Sequence, residues 1–384
     1  MKHGISWDIF CRVIDNFGDI GVCWRLAADL AARGCAVRLW VDDGSALRWM
    51  APGALDGLWP NVRVHQWKAG GECHDLAALP RHDILVEGFG CEAPPQFLIH
   101  HWSDRPPGVP TTMPLRRWIN LEYLSAEDFV QKSHGLPSPV MHGPARGKTR
   151  HFFFPGLSRL TGGLLREPGL QARQNAFHAP HWLAARTLPT GPVRRISLFC
   201  YEPAALALLL GQLQAGPDPT ELLVTAGRAM AAVQRVLGIA HTDPAPSHRF
   251  GALRLHFLPH LSQLDYDHLL WSCDLNFVRG EDSLVRAVWA GKPLVWQIYP
   301  QEDNSHHPKL LAMLDALSAP TSCRQFHLAW NGMQSGLPPC IETPWQDAAR
   351  AACRALESQI DLASRLLEFV TAPPAASNTT PENR

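Results

Sequence analysis

The sequence predicts an α/β chain built from two doubly wound domains, and three observations predict it. The chain has 384 residues, more than the roughly 250–300 at which a single hydrophobic core stops growing. Strand-like runs alternate with helical ones in both halves, the pattern of parallel sheets joined by crossover helices. One stretch rich in proline and glycine, residues 135–195, interrupts the alternation.

Residues 7–14, WDIFCRVI, form an apolar run of strand length. The loop DNFGDIG follows. VCWRLAADLAARG then reads as a helix, with Val22, Leu26, Leu30 and Ala31 at helical spacing and Gly34 where a C-terminal cap belongs. AVRLWVDD returns as a strand, so a βαβ unit opens the chain, and NVRVHQW and HDILVEG extend the sheet. The segments GLPSP, FFFPG, TGG and TLPTGPVRR place the boundary within 135–195. The first domain is therefore expected over 1–175. A second series, ISLFCYE, ELLVTAG, LRLHFLP, DLNFV, LVRAVWAG and KPLVWQIY, predicts the second domain over 190–345. A closing helical segment is expected over 346–371. The tail 372–384 is too poor in apolar residues to order itself.

Lys+Arg and Asp+Glu both count 35, so no global field attracts a phosphate backbone, and nucleic acid is not expected as a ligand. The start MKHGISWDIF lacks the pattern of a secretory leader, and no stretch of about 18 uncharged apolar residues occurs. A cytoplasmic protein off the membrane is the expectation. The ten cysteines are scattered without a CxxC pair and read as small buried hydrophobes. The pairs His100-His101 and His306-His307 read as surface or loop histidines, since adjacent side chains diverge and no third ligand is spaced for zinc. No metal is expected.

In an open α/β sheet the ligand sits beyond the carboxyl ends of the strands. Two loops there carry unusual chemistry. The first, Asp15 to Gly21, has two glycines that permit close backbone approach and two carboxylates, Asp15 and Asp19. Carboxylates repel phosphate, so this loop faces a reacting proton or a cationic acceptor, with only the Gly18 backbone near a diphosphate. A capping Asp19 and an Asx turn at Asp15 remain the structural alternative. In the second loop, Arg279 to Ser283, the fork of Arg279 and the helix start at Ser283 suit a diphosphate. A capping serine beside a solvated Arg–Glu pair is the alternative. Phe199, Tyr201 and Tyr266, with the amide of Gln263, suit a pyrimidine base or else pack a core.

These segments resemble one family, the EarP arginine rhamnosyltransferases that modify bacterial elongation factor P. WDIFCRVIDNFGDIGVCWRLAADLA, WINLEYLSAEDFV, HGLPSP, HFFFPG, TGGLLRE, SLFCYE and LLWSCDLNFVRGEDSLVRAVWAGKPLVWQIYPQEDNSHH carry the resemblance. The GKTRHFFF region and the tail do not align. The resemblance implies the GT-B architecture, with two Rossmann-like domains facing a cleft. It also implies inverting transfer of L-rhamnose from dTDP-β-L-rhamnose to an arginine of elongation factor P, activating that factor for rescue of stalled ribosomes, with no metal or cofactor.

Carried over by residue, Asp19 is the implied base, Asp15 its assistant, and Glu281 lies close to the reacting centre. Arg279, Asp282, Ser283 and Tyr299 are implied to hold diphosphate and sugar, and Phe199, Gln263 and Tyr266 the thymidine. An arginine acceptor suits carboxylates, because a guanidinium keeps its proton to a pKa of about 12.5–13.8 and a neutral histidine is too weak a base for it. The rival readings are another GT-B transferase or epimerase with a small-molecule substrate, and a nucleotide-sugar sensor without turnover. No GxGxxG follows the first strand, which disfavours a dehydrogenase.

Overall fold

A computed structural model describes residues 4–14, 17–68, 76–103, 116–240, 247–301, 304–340 and 342–373. Asp15, Cys73 and the tail from 374 onward lie outside the described residues. Two sheets divide the chain. The first contains β1 (Ser6–Cys11), β2 (Ala36–Val41), β3 (Val62–Gln66), β4 (Ile84–Gly88), β5 (Arg117–Leu121), β6 (Pro137–Pro139) and β7 (Thr149–Phe153), in the order β3-β2-β1-β4-β5-β7-β6. The second contains β8 (Arg194–Leu198), β9 (Thr220–Val224), β10 (Ser247–Phe250), β11 (Leu253–Phe257), β12 (Leu275–Arg279) and β13 (Leu294–Gln297), in the order β10-β11-β9-β8-β12-β13. Pairing is parallel except at the edges, where β6 and β10 run antiparallel to their neighbours. Central strands are covered on both faces, so Trp7–Cys11 and Ile84–Gly88 are buried throughout, the carboxylates of Asp8 and Glu87 included.

Several expectations shift by a few residues. β1 stops at Cys11, three residues short of the apolar run. The first helix spans Gly18–Ala32, so the last four residues of DNFGDIG form its first turn, closed by the Gly21 N–H on the Phe17 carbonyl at 3.0 Å. Asp19 sits inside this turn and makes no cap. Likewise β12 passes into the helix Gly280–Ala290 without a loop, because Gly280 adopts φ +64°, a left-handed conformation that costs glycine nothing. The GKTRHFFF region is part of the first sheet: β7 pairs in parallel with β5. The short edge strand β6 is flanked by prolines, which blunt it against further pairing.

The closing segment is two helices with different destinations. Glu342–Glu357 packs on the second domain, where Gln346 donates to the Gly291 carbonyl at 2.8 Å. Asp361 then caps the helix Leu362–Thr371 by accepting the Ser364 N–H. That helix returns to the first domain, burying Leu362, Ala363, Leu366 and Val370 in the core beneath β1. Arg33 of the first helix fastens it through Asp361 at 2.8 Å.

The histidine expectation is corrected. His101 is fully buried and stacks on Phe97 at 5.8 Å. Burial pushes its imidazole down to about 3, so it behaves as a neutral aromatic. His306 is also buried and accepts the Gln301 N–H at 3.1 Å. The cysteines follow expectation: among the described residues all are buried except the half-buried Cys340. No described helix is long and apolar enough to cross a membrane.

Candidate active site

The carboxyl ends of β1 and β12 aim two helix N-termini at one cleft. Two hollows open there and share Gly18, Gly280 and Glu281. The first, of about 750 Å³, is walled by Phe199, Gln263, Tyr266, Arg279, Asp282 and Ser283, and closed on the other side by Phe17 and Trp49 of the first domain. Trp49 meets His260 of the second domain at 4.7 Å, so both halves of the chain line this hollow. The second, of about 930 Å³, is lined by Asp19, Tyr123, Glu281, Tyr299 and Lys309.

In the first hollow Arg279 is buried, and its guanidinium lies 4.5 Å above the Phe199 ring and 4.4 Å above Tyr201. One terminal nitrogen donates to the Cys200 carbonyl at 3.2 Å. This holds the fork in one plane, the arrangement that favours bidentate anion binding. The Ser283 hydroxyl accepts the Arg279 N–H at 3.1 Å and donates to the Arg279 carbonyl, pinning strand end to helix start. The capping-serine alternative fails here because Ser283 lies within the first turn, and the solvated Arg–Glu pair fails because Arg279 and Glu281 have separate partners. Tyr266 meets Phe199 edge-on at 5.7 Å. Gln263 turns its carboxamide to the first helix, donating to the Gly21 carbonyl at 2.9 Å.

The second hollow gathers charge. Asp19 is 4% exposed, and one carboxylate oxygen accepts the Ile14 N–H at 3.0 Å. Glu281 reaches the other domain: one oxygen accepts the Leu124 N–H at 2.7 Å while the other meets Lys309 Nζ at 2.8 Å. Burial pushes the Glu281 carboxyl above the ordinary range, although Lys309 and the Leu124 N–H both favour its charged form. Tyr299 is half exposed and lines this hollow rather than the one holding Arg279, with its ring edge-on to Tyr201 at 5.5 Å. Asp282 faces the first hollow, but its carboxylate is paired with Arg25 at 2.8 Å.

Residues 7–371 match the profile of the elongation factor P (EF-P) rhamnosyltransferase EarP. The chain belongs to the EarP family. It is 43% identical over 390 residues to a protein-arginine rhamnosyltransferase of Pseudomonas aeruginosa, covering 95% of this chain and 98% of that one. A protein-arginine rhamnosyltransferase of Shewanella oneidensis is 35% identical over 402 residues, covering 96% and 98%. A solved structure described as the basis of EarP-mediated arginine glycosylation of translation elongation factor EF-P is 29% identical. It superposes with a TM-score of 0.60 over 95% of this chain and 98% of that chain. The two sheets and their shared cleft are the GT-B arrangement of this family.

Residue reading alone passed over the charges that join the halves of this EarP-family chain. Arg25 pairs with Glu167 and Asp267 at 3.3 Å as well as with Asp282. Arg286 grips Asp267 through two bonds of 2.8 and 2.7 Å and Glu167 through one of 2.7 Å. The available signal was an arginine and an aspartate, Arg25 and Asp29, on a helix otherwise apolar almost all round. Tyr123 and Lys309 were also missed. Tyr123 sits in WINLEYL and Lys309 directly after DNSHHP, both beside segments of evident family character.

Proposed function

We propose that this chain transfers L-rhamnose from dTDP-β-L-rhamnose to an arginine side chain of elongation factor P, with inversion at the anomeric carbon. One observation carries the reading: a carboxylate-rich hollow with Asp19 and Glu281 adjoins an anion-suited hollow with Arg279 and Ser283, and the two meet at Gly18 and Gly280. The family membership supports the same acceptor and donor classes, a protein and a nucleotide sugar.

In this reading Arg279 and the N–H groups at the start of the Gly280 helix hold the diphosphate, and Phe199 and Tyr266 pack against the thymine. Tyr299 closes the sugar from the second hollow. The acceptor guanidinium enters beside Asp19, which draws in the cation and polarises one nitrogen. Asp15 assists from the same segment. The nitrogen attacks the anomeric carbon from the face opposite the diphosphate. As the N–C bond forms and the C–O bond to phosphate breaks, Asp19 takes the nitrogen's proton. The leaving dTDP takes the electron pair, and Arg279 with the helix N-terminus stabilises its added charge. No metal or cofactor takes part. Glu281 lies within reach of the sugar, anchored by Lys309 and the Leu124 N–H, and Asp282 serves the site by holding Arg25.

The test is incubation with dTDP-rhamnose and purified elongation factor P, followed by intact mass measurement. A gain of one deoxyhexose, mapped to arginine, supports the reading. An unmodified acceptor alongside hydrolysed donor points to a different acceptor.

A further inference from the structure

We infer that Lys309 is a positioning residue for Glu281, holding that carboxylate on the sugar side of the second hollow so that it does not compete for the acceptor's guanidinium. Its role rests on the reading of this hollow as the place where a cationic acceptor meets the donor sugar. Lys309 lies in the first turn of the helix His306–Ala316, and Glu281 in the first turn of the helix Gly280–Ala290. Lys309 Nζ donates to Glu281 Oε1 at 2.8 Å, and the Leu124 N–H donates to Glu281 Oε2 at 2.7 Å. Both oxygens of one carboxylate are thus fixed, one from its own domain and one from the facing domain. Each anchor is itself held. Leu124 is buried in the same apolar cluster as Leu284 and Val285 of the Glu281 helix. The Lys309 ammonium lies 5.7 Å from the centroid of the Tyr123 ring, which stacks on Phe89 at 4.7 Å.

Two carboxylates in one hollow give an entering cation two places to settle. Glu281 and Asp19 both line the second hollow, and a guanidinium is attracted to either. Lys309 resolves the choice. Its ammonium balances the Glu281 charge, and its hydrogen bond takes up an oxygen that a guanidinium fork would need. With side chains 22% and 16% exposed, the pair is partly shielded from water and holds better than a pair on the open surface. Asp19 belongs to the first helix of the other domain, where the Ile14 N–H holds one of its oxygens. The acceptor cation is thereby directed to Asp19, while Glu281 stays with the sugar. Burial raises the Glu281 carboxyl above the ordinary range, and the Lys309 charge is the strongest influence opposing that rise, so the lysine also favours the anion over the neutral acid.

Steady-state transfer from saturating dTDP-rhamnose to elongation factor P, at varied acceptor concentration, separates kcat from acceptor KM. Lys309→Met keeps an unbranched stem of similar length and removes the charge. Its kcat should fall by at least about tenfold, since a cation drawn to Glu281 is misaligned for attack. Its acceptor KM should stay level or fall, because the hollow has gained net negative charge. Lys309→Arg restores a cation and should recover most of the lost kcat. A parent-like kcat in Lys309→Met overturns the inference. So does a raised acceptor KM, with kcat lowered or not, for that is the mark of a cleft merely loosened. Equal losses in the methionine and arginine variants also overturn it, because the charge is then not what matters. The parent enzyme run alongside separates the layers. A parent that leaves the acceptor unmodified overturns the proposed function and this role with it, whereas a parent that transfers beside an unimpaired Lys309→Met overturns the positioning role alone.

Discussion

Arg25 and Asp282 tie the two domains together at the cleft: Arg25 Nε lies 2.8 Å from Asp282 Oδ1, with the side chains 5% and 16% exposed. One residue belongs to the helix that carries Asp19, the other to the helix that carries Ser283. The pair sets the distance between the acceptor side and the donor side. Removing one member of a buried pair typically costs about 3–5 kcal/mol, because it strands the other charge out of water. Arg25→Met should approach that cost, since it strips a partner from Asp282, Asp267 and Glu167 together. Asp282→Asn should cost less, because Arg25 keeps the other two carboxylates. Denaturant unfolding of both single variants and the double variant measures this, and strictly additive costs would show that the two residues are not coupled.

Asp19→Asn should retain donor binding and lose nearly all transfer. Asparagine keeps the size, and its carbonyl still accepts the Ile14 N–H, so stability changes little. It takes no proton and presents no charge to a cationic acceptor. Transfer should drop by at least the roughly 10²–10⁴-fold typical of losing a general base. Turnover within tenfold of the parent moves the search to Asp15 or Glu281.

Arg279→Ala and Ser283→Ala should weaken dTDP binding without unfolding the chain. Arg279→Lys should behave more like alanine than like the parent, because an ammonium neither forks to two oxygens nor lies flat on Phe199 and Tyr201. Calorimetric titration with dTDP decides. Equal affinity in all three variants would place the diphosphate elsewhere in the cleft.

Tyr266→Ala should lose roughly 1–3 kcal/mol of nucleotide affinity, the scale of base–aromatic stacking. Tyr266→Phe should keep most of it, since the ring supplies the contact. An alanine variant that binds dTDP normally returns Tyr266 to a packing role beneath Phe199.

Glu87 on β4 predicts a pH effect on stability away from the cleft. It is 2% exposed and accepts the Ala93 N–H at 2.8 Å, and burial pushes its carboxyl from 4.5 up to about 7. Below about 4.5 it is protonated in both folded and unfolded chains, and its favourable contribution is complete. As pH rises toward 7 the unfolded chain releases the proton while the folded one keeps it, and that contribution is lost. Glu87→Gln stays neutral throughout, so it should gain on the parent by up to about 3 kcal/mol between pH 5 and pH 8. Urea unfolding at the two pH values tests this, and a pH-independent difference would mean that Glu87 titrates normally.

Much of the fold was legible in the chain because strand and helix patterns are local. WDIFCRVI and DLNFV announce central strands by largely apolar runs of strand length, and Gly34 ends the first helix with φ +88°, as its position suggested. The two chemically unusual segments stood out for the same reason: charge placed between apolar runs needs an explanation wherever the chain goes. β5 and β7 were missed although they are no shorter than β3 and β4; β7 lies inside the Pro- and Gly-rich stretch 135–195, which read as the boundary between the halves.

The sequence by itself determined the two α/β halves, the two ligand-facing segments and the family. The tertiary structure alone decided which charges meet, because pairing depends on residues far away in the chain: Arg25 finds Asp282, and Glu281 finds Lys309 and the Leu124 backbone. It alone sent the last helix back to the first domain, since an amphipathic pattern states that a face must be buried and not against what. It also buried His101 and His306, for an imidazole's exposure follows from what packs around it and leaves no mark in its immediate neighbours along the chain.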